Sequence, residues 1–230
     1  MRRGVVFLDR DGVINRDLPE GVTRLEDFMF LPGSREALCR LTQAGFACIV
    51  VTNQSAVGRG WLSWETLTAI HRRMIAGIRE AGGFLLDLFV CPHAPEAGCA
   101  CRKPATGMLR EAARRHGIDL SAAVLVGDRA ADILCARCAG LACALLVLTG
   151  QGPQAVPELA AAGVAPDAVV ADLEAAADWI LAHGGGNGPQ ASVSGDGGSG
   201  TLRKGTPSSR STCSSCRVLT PRMFRGSDTP

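Results

Sequence analysis

Phe7-Leu8-Asp9-Arg10-Asp11-Gly12-Val13 is the stretch on which the reading of this chain turns. An apolar run, residues 5–8, stops abruptly at two carboxylates separated by one residue. Such a run bounded by charge predicts a buried strand. Ligands in open α/β sheets sit just beyond the carboxyl ends of the strands, so Asp9 and Asp11 should project from a strand tip into a crevice. Two acids that close repel one another unless a cation or a shared proton compensates. By itself the stretch also reads as a strand followed by a common Asp-Gly turn; the rest of the chain decides.

Downstream, residues 12–30 are expected to form a turn and a small hairpin over the site. Ala37, Leu38, Leu41 and Ala44 lie on one helical face that ends at Gly45. Residues 47–51 predict a second strand, ending in the polar run Thr52-Asn53-Gln54-Ser55, and Gly58-Arg59-Gly60 a loop. Ser63 is placed to cap a long helix with Leu67, Ile70, Met74 and Ile78 inward, broken at Gly82-Gly83. A strand over 84–90 leads into a Cys- and Pro-rich loop, 91–104. A helix through Met108, Leu109, Ala112 and Ala113 stops at Gly117. A fourth strand, 123–126, ends at Gly127-Asp128, and a helix over 130–139 turns Ile133, Leu134 and Cys138 inward. Residues 143–148 predict a fifth strand, Val169-Val170 a short sixth, and Asp172 caps a last helix through Trp179, Ile180 and Leu181. Strands alternating with helices predict an α/β fold, a doubly wound parallel sheet, Rossmann-like in layout.

The chain has 230 residues, 47% of them hydrophobic, enough for a full core. Its net charge of +2 is too small to argue for nucleic acid or a membrane surface. From residue 185 onward six basic residues face two acidic ones, so the basic excess belongs to the end of the chain and not to its apolar part. That end, 184–230, is dominated by Gly, Ser, Thr and Pro and is expected to be disordered. Its Cys213 and Cys216 read as an incidental pair. The expected organisation is one folded domain over 1–183 and this tail. Arg2 and Arg3 precede only a short apolar run, too short for a secretory signal, and no stretch suits a transmembrane helix, so the cytoplasm is expected. In a reducing compartment, ten cysteines direct attention to metal.

The expected strand tips carry a matched set: Asp9 and Asp11, then Thr52, then Lys103, then Asp128 with Asp132. Taken singly, Thr52 caps a turn, Lys103 is a surface charge, and Asp128 and Asp132 suit a helix N-terminus. Taken together, the motifs Asp9-Arg10-Asp11-Gly12-Val13, Val51-Thr52-Asn53-Gln54, Arg102-Lys103-Pro104 and Val126-Gly127-Asp128-Arg129-Ala130-Ala131-Asp132 resemble those of the haloacid dehalogenase superfamily of phosphatases. The resemblance implies Asp9 as the nucleophile that forms an aspartyl-phosphate and Asp11 as the general acid and base. It implies Mg²⁺ held by Asp9, the backbone carbonyl of Asp11 and Asp128, an oxygen set that suits this ion. Thr52 and Lys103 would hold the phosphoryl oxygens, with Asp132 orienting Lys103 or a metal-bound water. Gly12 and Gly127 would let backbone approach the ligand.

Cys91-Pro92-His93 followed by Cys99-Ala100-Cys101 offers a Cys3His set that suits tetrahedral Zn²⁺. All four positions are filled by protein, so this zinc should be structural. Cys39, Cys48, Cys135, Cys138 and Cys143 sit in apolar periodic segments and read as small core residues. A zinc loop followed directly by Arg-Lys-Pro resembles the D-glycero-D-manno-heptose 1,7-bisphosphate phosphatases and the related histidinol-phosphate phosphatases, over about residues 4 to 183. The intervals Asp11 to Asn53 and Asn53 to Lys103 are consumed by strands and helices, which leaves the fold capless and recognition to loops. The resemblance assigns substrate contacts to Asn53, Gln54, Ser55, Arg102, Lys103 and Arg129, and places the segment from Asp17 to Glu20 along the pocket. Arg59 is a further candidate for a distal phosphate, since Arg suits phosphate by its planar fork. Ala56, where many members carry Gly, and Arg129, where some carry Lys, are departures.

The first expectation is therefore a Mg²⁺-dependent sugar bisphosphatase removing the C7 phosphate of heptose 1,7-bisphosphate, acting as a monomer on a small molecule and on neither nucleic acid nor membrane. Histidinol-phosphate hydrolysis on the same catalytic set is the enzymatic alternative. A catalytically silent, zinc-stabilised binding protein is the alternative outside enzymology. A polynucleotide 3′-phosphatase fits poorly, for want of a basic, aromatic-studded groove.

Overall fold

Six apolar runs pair side by side into one parallel sheet. A computed structural model describes residues 3–183. In chain order the elements are β1 (Gly4–Leu8), α1 (Ser34–Gln43), β2 (Phe46–Asn53), α2 (Ser55–Gly58), α3 (Trp64–Glu80), β3 (Leu85–Cys91), α4 (Gly107–His116), β4 (Ala123–Gly127), α5 (Ala130–Ala139), β5 (Cys143–Val147), α6 (Gly152–Ala161), β6 (Ala168–Val170) and α7 (Leu173–His183). The strand order is β3-β2-β1-β4-β5-β6, with every pairing parallel. β1 is internal, and Leu8 pairs in register with Val50 of β2 and Val126 of β4.

Alternation of side chains along each strand explains why the strands read as unbroken apolar runs: both faces are covered. Val6, Leu8, Cys48, Val50 and Val126 enter one core with Leu38, Leu67, Ile70, Met74 and Ile180 from α1, α3 and α7. Phe7, Ile49, Val51 and Leu125 enter the other with Leu109, Ile133 and Leu159 from α4, α5 and α6. Ser63 caps α3, its side chain accepting from the Thr66 N–H, and Asp172 accepts from the Ala175 N–H at the start of α7. Among the described residues no helix is long and apolar enough to cross a membrane.

Four expectations need correction. No hairpin forms over 12–30. That segment has two isolated bridges, Asp11 with Asn15 and Asn15 with Phe30, and one 3₁₀ turn, Leu25–Asp27. Buried Val13, Ile14, Val22 and Phe28 anchor it in the core, so side chains replace a ladder. β2 runs on through Thr52 and Asn53, which pair with Val90 and Cys91, and the expected loop after it begins as the short helix α2. α6 occupies residues in which no element was expected, with Pro153 in its first turn, where a missing N–H costs nothing, and Pro157 inside it. Cys138 is exposed, and Cys39 and Cys143 are partly so; only Cys48 and Cys135 of that group are core residues. The predicted tail, with Cys213 and Cys216, lies outside the described residues.

Leu38 is fully buried where α1 meets α7 and the sheet. Leu38→Ala should lower stability by about 2–5 kcal/mol through lost transfer free energy and a residual cavity, read as a shifted midpoint in urea unfolding.

Candidate active site

The central position of β1 decides where the chemistry gathers. Leu8, the last residue of β1, pairs with Val50 of β2 and Val126 of β4, so Asp9 and Asp128, just past β1 and β4, meet Thr52, near the carboxyl end of β2, at one edge. Lys103 arrives from the loop after β3. Its ammonium stands 2.9 Å from Asp9 Oδ2, 2.6 Å from Asp132 Oδ1 and 2.8 Å from the Val51 carbonyl oxygen. Two carboxylate oxygens and a carbonyl oxygen thus surround the ammonium, and Lys103 is almost fully buried. The Asn53 amide holds the Lys103 backbone from both sides, accepting from its N–H at 3.1 Å and donating to its carbonyl at 3.2 Å. Asp9 Oδ1 accepts from the Arg10 N–H at 2.7 Å, and Asp132 Oδ2 accepts from the Arg129 N–H at 3.0 Å, at the N-terminus of α5.

Charge in this cluster does not balance. Asp9, Asp128 and Asp132 are buried and bring carboxylate oxygens within 4.8 Å of one another, against the buried Lys103 ammonium and, at 4.0 Å from Asp128, the half-exposed Arg129 guanidinium that also pairs with Asp17. Burial, offset by Lys103 but reinforced by Asp132 and Asp11, raises Asp9 to about 6. Burial with the charges of Asp9 and Asp132 raises Asp128 to about 8. Asp128 Oδ2 accepts from the Gln151 N–H at 2.8 Å, but Oδ1 is buried without a hydrogen-bond partner. An orphaned buried carboxylate oxygen, in an all-oxygen donor set with net charge −2 if all three acids ionise, fits a hard divalent cation such as Mg²⁺.

Asp11 is apart from that cluster. Arg10 Nη2 donates to both of its oxygens, at 2.8 and 2.9 Å, Arg10 Nε to Oδ1 at 3.2 Å, Asn15 Nδ2 to Oδ1 at 2.8 Å and Gln54 Nε2 to Oδ2 at 2.8 Å. Burial works against its charge, yet the Arg10 guanidinium and these donors hold Asp11 below the usual carboxylate range. Its backbone carbonyl remains the donor assigned to metal. Gln54 Nε2 also donates to Thr52 Oγ1 at 2.8 Å, so Gln54 links the two groups and is itself buried.

The rim is built by pairs. Arg129 Nη2 donates to Asp17 Oδ2 at 2.9 Å, and Gln151 Nε2 donates to the same oxygen at 3.0 Å. Thr149 Oγ1 donates to the Gly12 carbonyl at 2.6 Å. Arg102 donates to the His93 carbonyl at 3.3 Å. Arg59 stands 3.4 Å from Glu96 and lies over the Trp61 ring, on the zinc-loop side. Ser55 opens α2 half-buried, and Glu20 is exposed. What crowds Gly12 and Gly127 is the site itself: a Cβ at Gly12, whose φ is +78°, would collide with the Asp128 carboxylate, and one at Gly127 with Asp132.

In the second cluster, the sulfurs lie 3.5 Å apart for Cys91 and Cys99, 3.3 Å for Cys91 and Cys101 and 3.4 Å for Cys99 and Cys101. His93 Nδ1 lies 3.6 Å from Cys91 Sγ and 3.3 Å from Cys101 Sγ. A disulfide needs about 2.05 Å. Zinc–sulfur bonds of about 2.3 Å in a tetrahedron give edges of about 3.8 Å, so the four donors are preformed for a small tetrahedral ion. The knot is tied to its surroundings through the backbone: the Gln54 N–H donates to the Cys91 carbonyl and the Gly58 N–H to the Pro92 carbonyl.

A HAD-hydrolase-like family model matches residues 100–176. The D-glycero-β-D-manno-heptose-1,7-bisphosphate 7-phosphatase of Bordetella bronchiseptica is 42% identical over 179 residues, covering 77% of this chain and 97% of that protein. The D-glycero-D-manno-heptose-1,7-bisphosphate 7-phosphatase of Thermosynechococcus vestitus is 40% identical over 194 residues, 80% of this chain and 98% of that one. The crystal structure of the B. bronchiseptica D,D-heptose 1,7-bisphosphate phosphatase, complexed with magnesium and phosphate, superposes with a TM-score of 0.72, covering 78% of this chain and 98% of that chain at 41% identity. This chain belongs to the haloacid dehalogenase-like phosphatases.

Two parts of this phosphatase site escape the motif reading. The segment after β5 holds three site residues at once, through the Thr149 hydroxyl and the Gln151 backbone and side chain. His71, fully buried on α3, stands 3.1 Å from Arg10 Nη1; burial and Arg10 keep its imidazole neutral, well below its usual range. The one available signal was a histidine within the apolar stripe of Leu67, Ile70 and Met74.

A carboxyl group raised to about 6 or about 8 on folding stabilises the fold most at low pH and loses that contribution as pH rises through those values. The metal-free phosphatase should therefore melt at lower temperature at pH 8 than at pH 6. Mg²⁺ should raise the melting temperature, and by more at pH 8, where it competes with fewer protons. Asp128→Asn should remove most of that Mg²⁺-dependent rise in differential scanning fluorimetry.

Proposed function

We propose that this chain hydrolyses the C7 phosphate of D-glycero-D-manno-heptose 1,7-bisphosphate to heptose 1-phosphate, with residues 1–183 as the phosphatase domain. It acts as a cytoplasmic monomer on this small molecule, in the synthesis of nucleotide-activated heptose. The observation that carries the reading is the buried cluster in which Asp9 faces Lys103 beside an Asp128 oxygen that has no hydrogen-bond partner, in a chain about 40% identical to phosphatases of that name.

Asp9 attacks phosphorus through a carboxylate oxygen, the bond from phosphorus to O7 breaks, and Asp11 gives O7 its proton. Asp11, now ionised, takes a proton from water as that water attacks phosphorus. The Asp9–phosphorus bond then breaks and inorganic phosphate leaves. Lys103 and Thr52 hold the transferring oxygens, so the chain's contribution is mainly positioning and charge. Bound Mg²⁺, held by Asp9, the Asp11 carbonyl and Asp128, supplies positive charge that neutralises carboxylates and phosphate. Because its donors hold Asp11 ionised at rest, it must loosen part of that grip to carry a proton. Arg102 and Arg129, with Arg59 further out, serve the distal phosphate, and Asp17 holds Arg129 in place. Ser55 and Glu20 border the sugar, while Asn53 and Gln54 act through Lys103 and Asp11. Zn²⁺ on Cys91, His93, Cys99 and Cys101 is structural, since its four donors are all protein.

The test is phosphate release, with Mg²⁺, from both anomers of the bisphosphate and from histidinol phosphate. A kcat/KM preference of about 100-fold for a bisphosphate, about 2.7 kcal/mol of transition-state binding, is expected. Preference for histidinol phosphate would overturn the substrate, and no release from a folded, metal-loaded sample would overturn the enzyme. Asp9→Asn should abolish release while leaving the melting curve unchanged or raised. Cys101→Ser, or a zinc-selective chelator, should lower the melting temperature and release zinc to an indicator dye, whereas removing Mg²⁺ alone should stop turnover without unfolding.

A further inference from the structure

Arg10 is completely buried, and α3 supplies the group it is buried against. Its Nε and Nη2 are engaged by Asp11; its remaining terminal nitrogen, Nη1, stands 3.1 Å from His71 Nε2. A guanidinium has no lone pair to offer, so Nη1 donates and Nε2 accepts. The imidazole proton therefore sits on Nδ1, which is buried and has no hydrogen-bond partner. An unpaired buried donor costs stability, at a position whose helical neighbours Leu67, Ile70 and Met74 are all apolar. Packing at this position calls for a hydrocarbon. The contact that His71 makes in its place is with Arg10.

That contact bears on proton transfer. The Asp11 oxygens accept from Arg10, Asn15 and Gln54 together, so the carboxylate stands where those donors put it. Asn15 and Gln54 are fixed by their own partners, the Arg16 carbonyl and Thr52. Arg10 is held away from Asp11 at Nη1 alone, among its side-chain hydrogen bonds. Without an acceptor there, a buried N–H must find another, and the guanidinium turns, carrying Asp11 with it. We infer that His71 is a positioning residue for proton donation: it fixes Arg10, and through Arg10 it fixes Asp11 relative to the departing oxygen. The inference rests on the reading of Asp11 as general acid and extends it to a residue on a different element.

The test uses substrates that differ in how much they need a proton. p-Nitrophenyl phosphate expels a stable anion; glycerol phosphate expels an alkoxide and depends on the acid. General acid catalysis contributes on the order of 10²–10⁴-fold. Asp11→Asn is the reference and should lose activity on glycerol phosphate far more than on the aryl ester, in kcat/KM. His71→Asn, whose side chain stops short of Arg10, should lose about tenfold or more on glycerol phosphate and under about threefold on the aryl ester, a part of the acid's full contribution. His71→Gln, whose amide oxygen reaches the place of Nε2, should restore glycerol phosphate to within about threefold of the parent on the same scale. His71→Met fills the volume without an acceptor and serves if the Asn variant does not fold. Equal losses on both substrates, no loss on either, or a Gln variant no better than Asn would overturn the role of His71. A reference variant that fails to discriminate would overturn Asp11 as the acid, and the inference with it; a discriminating reference beside a non-discriminating His71→Asn would overturn the inference alone. None of these outcomes depends on which sugar phosphate is the natural substrate.

Discussion

A buried ammonium must be paired on all sides, and Lys103 sets the terms for this structure. Two carboxylates and a backbone carbonyl meet it, from the tip of β1, the start of α5 and the body of β2. For Asp9, Asp132 and Val51 to reach one nitrogen, the carboxyl-terminal parts of β1, β2 and β4 must lie side by side. The sheet order provides that. Lys103 itself comes from the loop between β3 and α4, and two devices hold it: the Asn53 amide clamps its backbone, and the Cys3His knot closes two residues before it. Ordering the knot thus has a bearing on catalysis although its donors leave no place for a reactant.

The charges around this centre are sorted into closed pairs and one open group. Arg10 with Asp11 is neutral, and Arg129 with Asp17 is neutral too, though Arg129 also stands 4.0 Å from Asp128. The surplus of negative charge is confined to Asp9, Asp128 and Asp132. A cation is drawn to that group and a phosphate dianion to the cation, so neither is drawn to the rim alone. Fixed donors that need no rearrangement when charge develops are the usual source of such catalysis. The same sorting explains why Asp11 can stay ionised a few ångströms from other acids.

Legibility followed from where polar residues interrupt apolar runs. Asp9, Thr52 and Asp128 each end such a run, and the knot announces itself by four ligating residues within a short loop. Where the carboxylates are buried, however, periodicity misleads. The inward face of α5 is Asp132, Ile133, Cys135 and Ala136, because Lys103 makes burial of Asp132 tolerable. A reading that keeps acids outside rotates the helix and brings Cys138 inward, where it is not. His71 was hidden for the converse reason: a polar residue in an apolar stripe, with its partner 61 positions away. Gln151 holds Asp128 by a backbone N–H, which any residue but proline possesses, so no side-chain pattern could disclose it. The prolines of α6 concealed a helix that accommodates both.

The strand that leads to Asp9 precedes both of its neighbours in chain order yet lies between them in the sheet, and that has a consequence for synthesis. On the ribosome Asp9 emerges before either flanking strand, and the one that completes its surroundings, β4, and the segment that clasps Asp128 and Gly12 follow more than a hundred residues later. A nascent chain that has reached only β3 presents β1 with one neighbour instead of two, and an aspartate without its lysine. Domains form as units, and here the unit cannot close until α6 has begun. The surroundings of the Asp9 carboxylate are therefore complete only once the last third of the described residues has been made.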